Sequence, residues 1–357
     1  MAEPPGAGLD RQVARLLAGA PGPDLEAAAA VADRAGRVLR PAGALARLDE
    51  LAAWLAAWQG TSRPAVRRPA AVVFAADHGI AAGGVSAYPA EVTAAMLKAL
   101  REGVATAAVL ARQVGATLDV VDVGVGDPTG DLAREPALDP ARFRSCLQAG
   151  RDAVAGLDAD LLVLGEMGIG NTTAAAAVTA ILLDRPAEAA TGRGTGVDDA
   201  GLARKLAAVE AARHRVRGSG GLKPSPPENR GSGGQGASGP MEVLRQAGGA
   251  ELAALAGAAL EARLRRLPLV LDGFVVTAAV APLELLHRGA LANAVAGHRS
   301  AEPGHTALLE RLGLAPLLDL GMRLGEGSGA LAAVPLLRLA AAAVTEVATF
   351  DEWGLER

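Results

Sequence analysis

The stretch DLLVLGEMGIGNTT, Asp160 to Thr173, decides the fold. Asp160 to Leu164 is a short apolar run that ends on Gly165, and beyond the glycines at 168 and 170 the sequence turns Ala- and Thr-rich. Such a run, closed by a glycine turn and followed by helix formers, reads as a buried strand feeding a helix. The same grammar recurs in Ala70 to Ala76 before Asp77-His78-Gly79, in Thr117 to Val123 before Gly124, and in Leu267 to Leu271 before Asp272-Gly273. Strands alternating with helical segments predict βαβ units, an α/β fold with a mostly parallel sheet flanked by helices. Ligands of such sheets sit beyond the carboxyl ends of the strands. The glycine-rich and polar clusters fall at those ends.

Outward from the strands, helical patterns cover Asp24 to Leu39 and Ala44 to Trp58, with Leu48, Leu51, Leu55 and Trp58 on one side. A single long helix is predicted from Glu91 to Val114. Residues 1–24 repeat Pro and Gly with weak periodicity, which predicts a poorly ordered tail. Residues 217–240, RGSGGLKPSPPENRGSGGQGASGP, have almost nothing to bury. That composition predicts a disordered insert between two helices, tolerated and without a catalytic role.

Half of the 357 residues are hydrophobic, enough for a large core, but aromatics are only 2%, so the core must be Ala, Val and Leu. The net charge is −4 and basic residues are interspersed with acidic ones, which argues against nucleic acid as a partner. Cys146 is the one cysteine and has no internal partner, which fits a reducing, cytoplasmic setting. Met1 to Asp10 has no charged and apolar leader pattern, so no signal peptide is expected. Charge or Pro interrupts the longest Ala-rich stretches, so no membrane span is expected either.

Five clusters carry the chemistry. Gly165 to Thr173 nearly matches a phosphate-binding loop, but Asn171 stands where its lysine belongs. The turn still offers free N–H groups at a helix start to an anion, through Gly168, Gly170, Asn171 and Thr172. ATP hydrolysis is disfavoured by the missing lysine. A bland turn does not need Glu166 inside it. The second cluster, Thr191 to Gly196 with Arg193 and Gly194, reads as another loop on the same nucleotide. Lys205 downstream reads either as a phosphate contact or as a solvated helix-face lysine. In the third, His298 to His305, the two histidines and Glu302 invite a metal. Pro303-Gly304 forbids the continuous helix that a paired-histidine site would use, so Ser300 as a phosphate donor is preferred and no metal is expected. In the fourth, Glu326 lies between Gly325 and Gly327 in an apolar setting that would raise its pKa toward that of a working base. The alternative is a cap on the following helix. In the fifth, Asp77-His78 has no nucleophile motif beside it and His78 reads as structural, bonded to backbone. Ser86 and the only tyrosine, Tyr88, follow, and Tyr88 suits stacking on a flat substrate.

In order, AADHGIAAGGVSAYP, VLGEMGIGNTTAAAA, TGRGTGVDDAGLARK, LDGFVVTAA, HRSAEPGH and LGEGSGA resemble the nicotinate-nucleotide–dimethylbenzimidazole phosphoribosyltransferases, which build the lower nucleotide loop of cobalamin. The resemblance begins at Leu39-Arg40-Pro41 and spares only the N-terminal tail and the insert. It implies a homodimer without a cofactor, acting on the small molecules nicotinate mononucleotide and dimethylbenzimidazole. It also implies a Rossmann-like domain over 61–304 and a small helical domain from 25–60 and 305–357. Glu326 matches the family's proposed base and Glu166 a second active-site glutamate. Lys205, Ser300 and the Gly168-Gly170-Asn171 turn match the phosphate side, and Ser86 and Tyr88 the base pocket. Many relatives carry glutamine where this chain has Ala90 and Ala95, which places the choice of base in question. A nucleotide hydrolase and a non-catalytic nucleotide sensor are the alternatives from other classes.

Overall fold

The computed structural model describes residues 7–218 and 239–356. Its centre is one five-stranded sheet: β1 (Pro69–Ala76), β2 (Thr117–Gly124), β3 (Leu161–Met167), β4 (Leu269–Leu271) and β5 (Ala294–Ala296). The order is β2-β1-β3-β4-β5 and every pair is parallel. The four expected strands are present. β5 is three residues of Ala-Val-Ala, too short to stand out in so alanine-rich a chain.

Side chains alternate between the faces of the sheet, as the strand period of two requires. Val72, Phe74, Leu162, Leu164, Leu269 and Leu271 share one core with the helices Pro140–Ala155, Asn171–Leu182, Ala250–Leu264 and Phe274–Leu286. Ala71, Val73, Leu161, Val163, Val270 and Val295 share the other with Arg47–Gln59, Thr106–Gln113 and Ser328–Thr345. Both faces are covered, which is why β1 is buried at every position. The helix Ser328–Thr345 is long and apolar enough to cross a membrane by composition, and its Leu331, Val334 and Leu337 lie against the sheet. Leu25–Ala35 adds a small outer cluster in which Val31 meets Ala52, Ala56 and Val344.

The sheet order creates the crevice. From β1 the chain steps to one side for β2 and to the other for β3, so neighbouring connections leave in opposite directions at the β1/β3 boundary. The turns after Ala76 and Met167 both open there.

Two expectations are corrected. The tail read as poorly ordered contains a helix, Ala7–Ala18, whose Val13 and Leu17 are buried in the main core. The single helix expected over 91–114 is two, Val92–Arg101 and Thr106–Gln113. The chain breaks at Gly103, whose φ of +77° lies outside the helical region. Of the 217–240 insert, all but Arg217, Gly218, Gly239 and Pro240 falls outside the described residues.

Candidate active site

A cavity of about 360 Å³ opens at the carboxyl ends of β1, β3 and β4. Its polar floor is built by Glu166 at the end of β3 and Glu326 in the loop before Ser328–Thr345. The two loops touch through glycine. A Cβ on Gly325 would lie 2.5 Å from the Glu166 carboxylate, and one on Gly165 would lie 2.5 Å from the Glu326 carbonyl. The Glu326 N–H donates to the Glu166 carbonyl at 3.2 Å. Residues 325, 326 and 327 all have positive φ, and Glu326 at +60° is the non-glycine among them. A left-handed Glu costs about 1–2 kcal/mol, a strain that collects at functional sites.

Glu326 does not cap the helix that follows it. That duty falls to Asp272, whose carboxylate accepts the N–H groups of Gly327, Gly329 and Ala330. The Glu326 carboxylate instead accepts the Ala107 N–H at 3.2 Å, from the start of Thr106–Gln113. The break at Gly103 is what creates that helix start. Burial raises the Glu326 pKa, Asp272 adds to the rise, and the Ala107 bond opposes it. Glu166 is held well above the usual carboxylate range, first by burial and then by Asp272, Glu251 and Glu326, against a hydrogen bond from the Asn171 amide. Asn171, at the position of the missing lysine, is therefore committed to Glu166.

Around these carboxylates the cavity is lined on its apolar side by Val92, Met96, Met167, Phe274 and Leu324. Tyr88 stands at the mouth, half-exposed. The polar side carries Gly168, Thr172, Gly194, Ser300 and Glu302. Gly170 lies behind, with φ +100° at the N-cap of Asn171–Leu182, and that helix start faces the same end. The sequence candidates that do not line the cavity are Ser86, Gly170, Arg193, Lys205 and Gly327. Ser86 ties its loop to Thr195 at 3.1 Å. Arg193 turns back onto its own loop, donating to the Val197 carbonyl and pairing with Asp199. Lys205 is buried, which removes the solvated-face reading, and its ammonium donates to Thr172 Oγ1 at 3.0 Å, one layer behind the cavity. Burial lowers its pKa to about 8, with Glu302 opposing.

Two histidines, His305 and His78, are structural members of this end. His305 Nδ1 accepts the Ser300 N–H at 2.9 Å while Nε2 meets Thr277 Oγ1 at 3.0 Å. Accepting at Nδ1 requires the neutral ring, and burial lowers its pKa to about 3. His78 was expected to bond backbone. It meets the Glu251 carboxylate instead, at 2.6 Å and fully buried, behind the turn at Gly168. Three polar residues at this end lacked a role in the sequence reading. Asp272 was seen only as the end of a strand. Glu302 was seen only as an invitation to a metal, yet it accepts the Gly194 N–H at 2.9 Å and ties two loops together. Arg323, which donates to the Gly194 carbonyl at 2.8 Å, is a cation at the rim.

The family profile DBI_PRT, described as phosphoribosyltransferase, matches residues 20–355. The chain belongs to this phosphoribosyltransferase family. A protein of Mesorhizobium japonicum named nicotinate-nucleotide–dimethylbenzimidazole phosphoribosyltransferase is 49% identical over 329 residues, covering 92% of this chain and 93% of the relative. A Ruegeria protein of the same name is 47% identical over 341 residues, 95% of each. The crystal structure of CobT from Thermus thermophilus matches with a TM-score of 0.83 at 44% identity, over 93% of this phosphoribosyltransferase and 99% of that chain.

Proposed function

We propose that this phosphoribosyltransferase moves the 5-phosphoribosyl group of nicotinate mononucleotide to 5,6-dimethylbenzimidazole, giving α-ribazole 5′-phosphate and nicotinate for cobalamin synthesis. The names of its relatives support the substrates. The observation that carries the chemistry is the placing of two buried carboxyls of raised pKa, Glu166 and Glu326, against an apolar slot in one cavity.

The pyridinium of nicotinate mononucleotide leaves C1′ as a neutral ring, so its departure needs no acid. One benzimidazole nitrogen forms the new bond to C1′, and the proton on the other nitrogen must go. Glu326 takes it. A carboxylate of raised pKa is a better acceptor for that proton than an ordinary one. Attack from the face opposite the departing ring inverts a β-linked ribose to an α-linked one. Glu166, held by Asn171, faces the ribose, where its carboxyl hydrogen-bonds the sugar and orients it for attack. The start of Asn171–Leu182, Thr172 and Ser300 receive the 5′-phosphate, with the Lys205 charge behind Thr172. Val92, Met96 and Leu324 take the flat apolar base, beneath Tyr88 at the mouth. Holding both reactants in line supplies much of the rate.

The test is Glu326→Gln, which keeps shape and removes the proton acceptor. Product formation, read by mass as α-ribazole phosphate, is expected to fall about a hundredfold or more, the scale of a general base. Binding of nicotinate mononucleotide should persist. Turnover near wild type would remove Glu326 from the role.

A further inference from the structure

At the other end of the sheet lies a second depression, of about 550 Å³. It sits where β1, β3 and β4 begin, at Pro69, Leu161 and Leu269, so the length of the sheet separates it from Glu166 and Glu326. Arg63, Arg67, Arg68, Arg265 and Arg266 line it, from two loops that sequence places some two hundred residues apart. The whole chain has a net charge of −4, so this is a local concentration of cations against the overall balance.

Little around it neutralises them. Asp160 is the one carboxylate in the lining, and its oxygens accept the main-chain N–H groups of Arg67 and Arg68 at 2.8–3.0 Å. It shapes the loop and leaves the guanidinium groups unpaired with it. Arg68 reaches the exposed Asp158 at 3.2 Å. Arg265 and Arg266 donate to carbonyls, of Leu157 and Ala57 at 2.8 Å each, which fixes their direction without cancelling charge. Among the described residues the guanidinium groups of Arg63 and Arg67 have no partner.

The second observation is backbone strain. Arg266 follows the cap of Ala250–Leu264 with φ +55°, the left-handed position where helices usually end on glycine. Its Nε is buried and has no hydrogen-bond partner. Arg266 thus carries a strained backbone while its side chain lines the depression.

We propose that this depression binds a small multivalent phosphate anion, at a site separate from catalysis. Guanidinium forks match phosphate oxygens two at a time, and several of them around one hollow favour a chained phosphate over a single one.

The experiment is calorimetric titration of the full chain with inorganic tripolyphosphate at low ionic strength, with inorganic phosphate and sulfate as comparisons. Three proteins are used: wild type, R63A/R67A and R266G. Wild type is expected to show saturable binding of tripolyphosphate, tighter than phosphate or sulfate. Both variants should bind it at least tenfold more weakly while keeping wild-type turnover. Unchanged affinity in both variants, or non-saturating binding that sulfate reproduces, would overturn the site. Turnover, measured alongside, reports that the variants are folded.

Discussion

Glu166 is a carboxyl that folding alone would not choose. It is buried, it lies near Asp272, Glu251 and Glu326, and its pKa stands well above the usual range because burial and those charges penalise ionisation. The sign of the consequence is fixed. A carboxyl whose folded pKa is raised favours the folded state while protonated, and that contribution is lost as pH rises through the folded value. Glu166→Gln stays neutral at every pH and keeps an acceptor for the Asn171 amide. The variant should therefore melt with wild type near pH 4 and increasingly above it as pH rises beyond the ordinary carboxylate range. Thermal melts across that range decide it, and a gap that does not grow with pH would show Glu166 to be solvated. Glu326 was legible at this scale because a carboxylate between two glycines is rare without cause. Asp272 and Glu302 were not, since their partners lie 55 and 108 residues away in sequence. Arg193, a cation in a glycine loop that reads as a ligand contact, turns back to bond its own loop.

At the scale of the element, the informative departure is the broken helix. Periodicity ran through Glu91 to Val114 without marking Gly103, because one glycine inside a helical pattern is a weak signal. The break gives Glu326 its Ala107 partner and sets the face of Val92–Arg101. That helix turns Val92 and Met96, one helical turn apart, into the cavity. Ala90 and Ala95 are exposed and do not line it, so neither alanine is a wall of this pocket. Choice of base then rests on the apolar Val92–Met96 edge. If the proposed reaction holds, alkylated benzimidazoles should outcompete hydroxylated ones, since an apolar wall leaves a hydroxyl unpaired. Met96→Gln should move the product ratio toward the hydroxylated base by roughly tenfold, the scale of one such contact. Ala95→Gln should leave the ratio unchanged. Equimolar competition read by mass measures both, and a shift from Ala95→Gln with none from Met96→Gln would invert the assignment.

For the whole molecule, the parallel sheet and the end that carries the site were readable, because buried strands and the turns that close them are local patterns. The first helix was not, because Pro and Gly at its flanks hid a short amphipathic run whose value lies in distant contacts. Val13 and Leu17 enter the main core, and Asp10 accepts the Met241 N–H at 3.1 Å, at the start of Pro240–Ala247. The chain's first helix thus closes over the helix that resumes after the insert. Burying two aliphatic side chains of this size contributes about 1.5–3 kcal/mol each, so removing residues 1–19 should cost roughly 3–6 kcal/mol and lower the melting temperature by several degrees, while turnover at low temperature persists. The cost should depend on pH. Burial and Glu242 raise the Asp10 pKa from 3.8 to about 6, against the Met241 bond. A raised carboxyl stabilises the docked helix below its unfolded pKa, and the contribution fades as pH climbs from about 4 to about 6. The gap in melting temperature between full-length and truncated protein should therefore be wider at pH 4.5 than at pH 7.5, and Asp10→Asn in the full chain should flatten that dependence. A truncation without effect at either pH would return residues 7–18 to the status of a tail. A gap independent of pH would leave the apolar contacts as the whole of the docking energy.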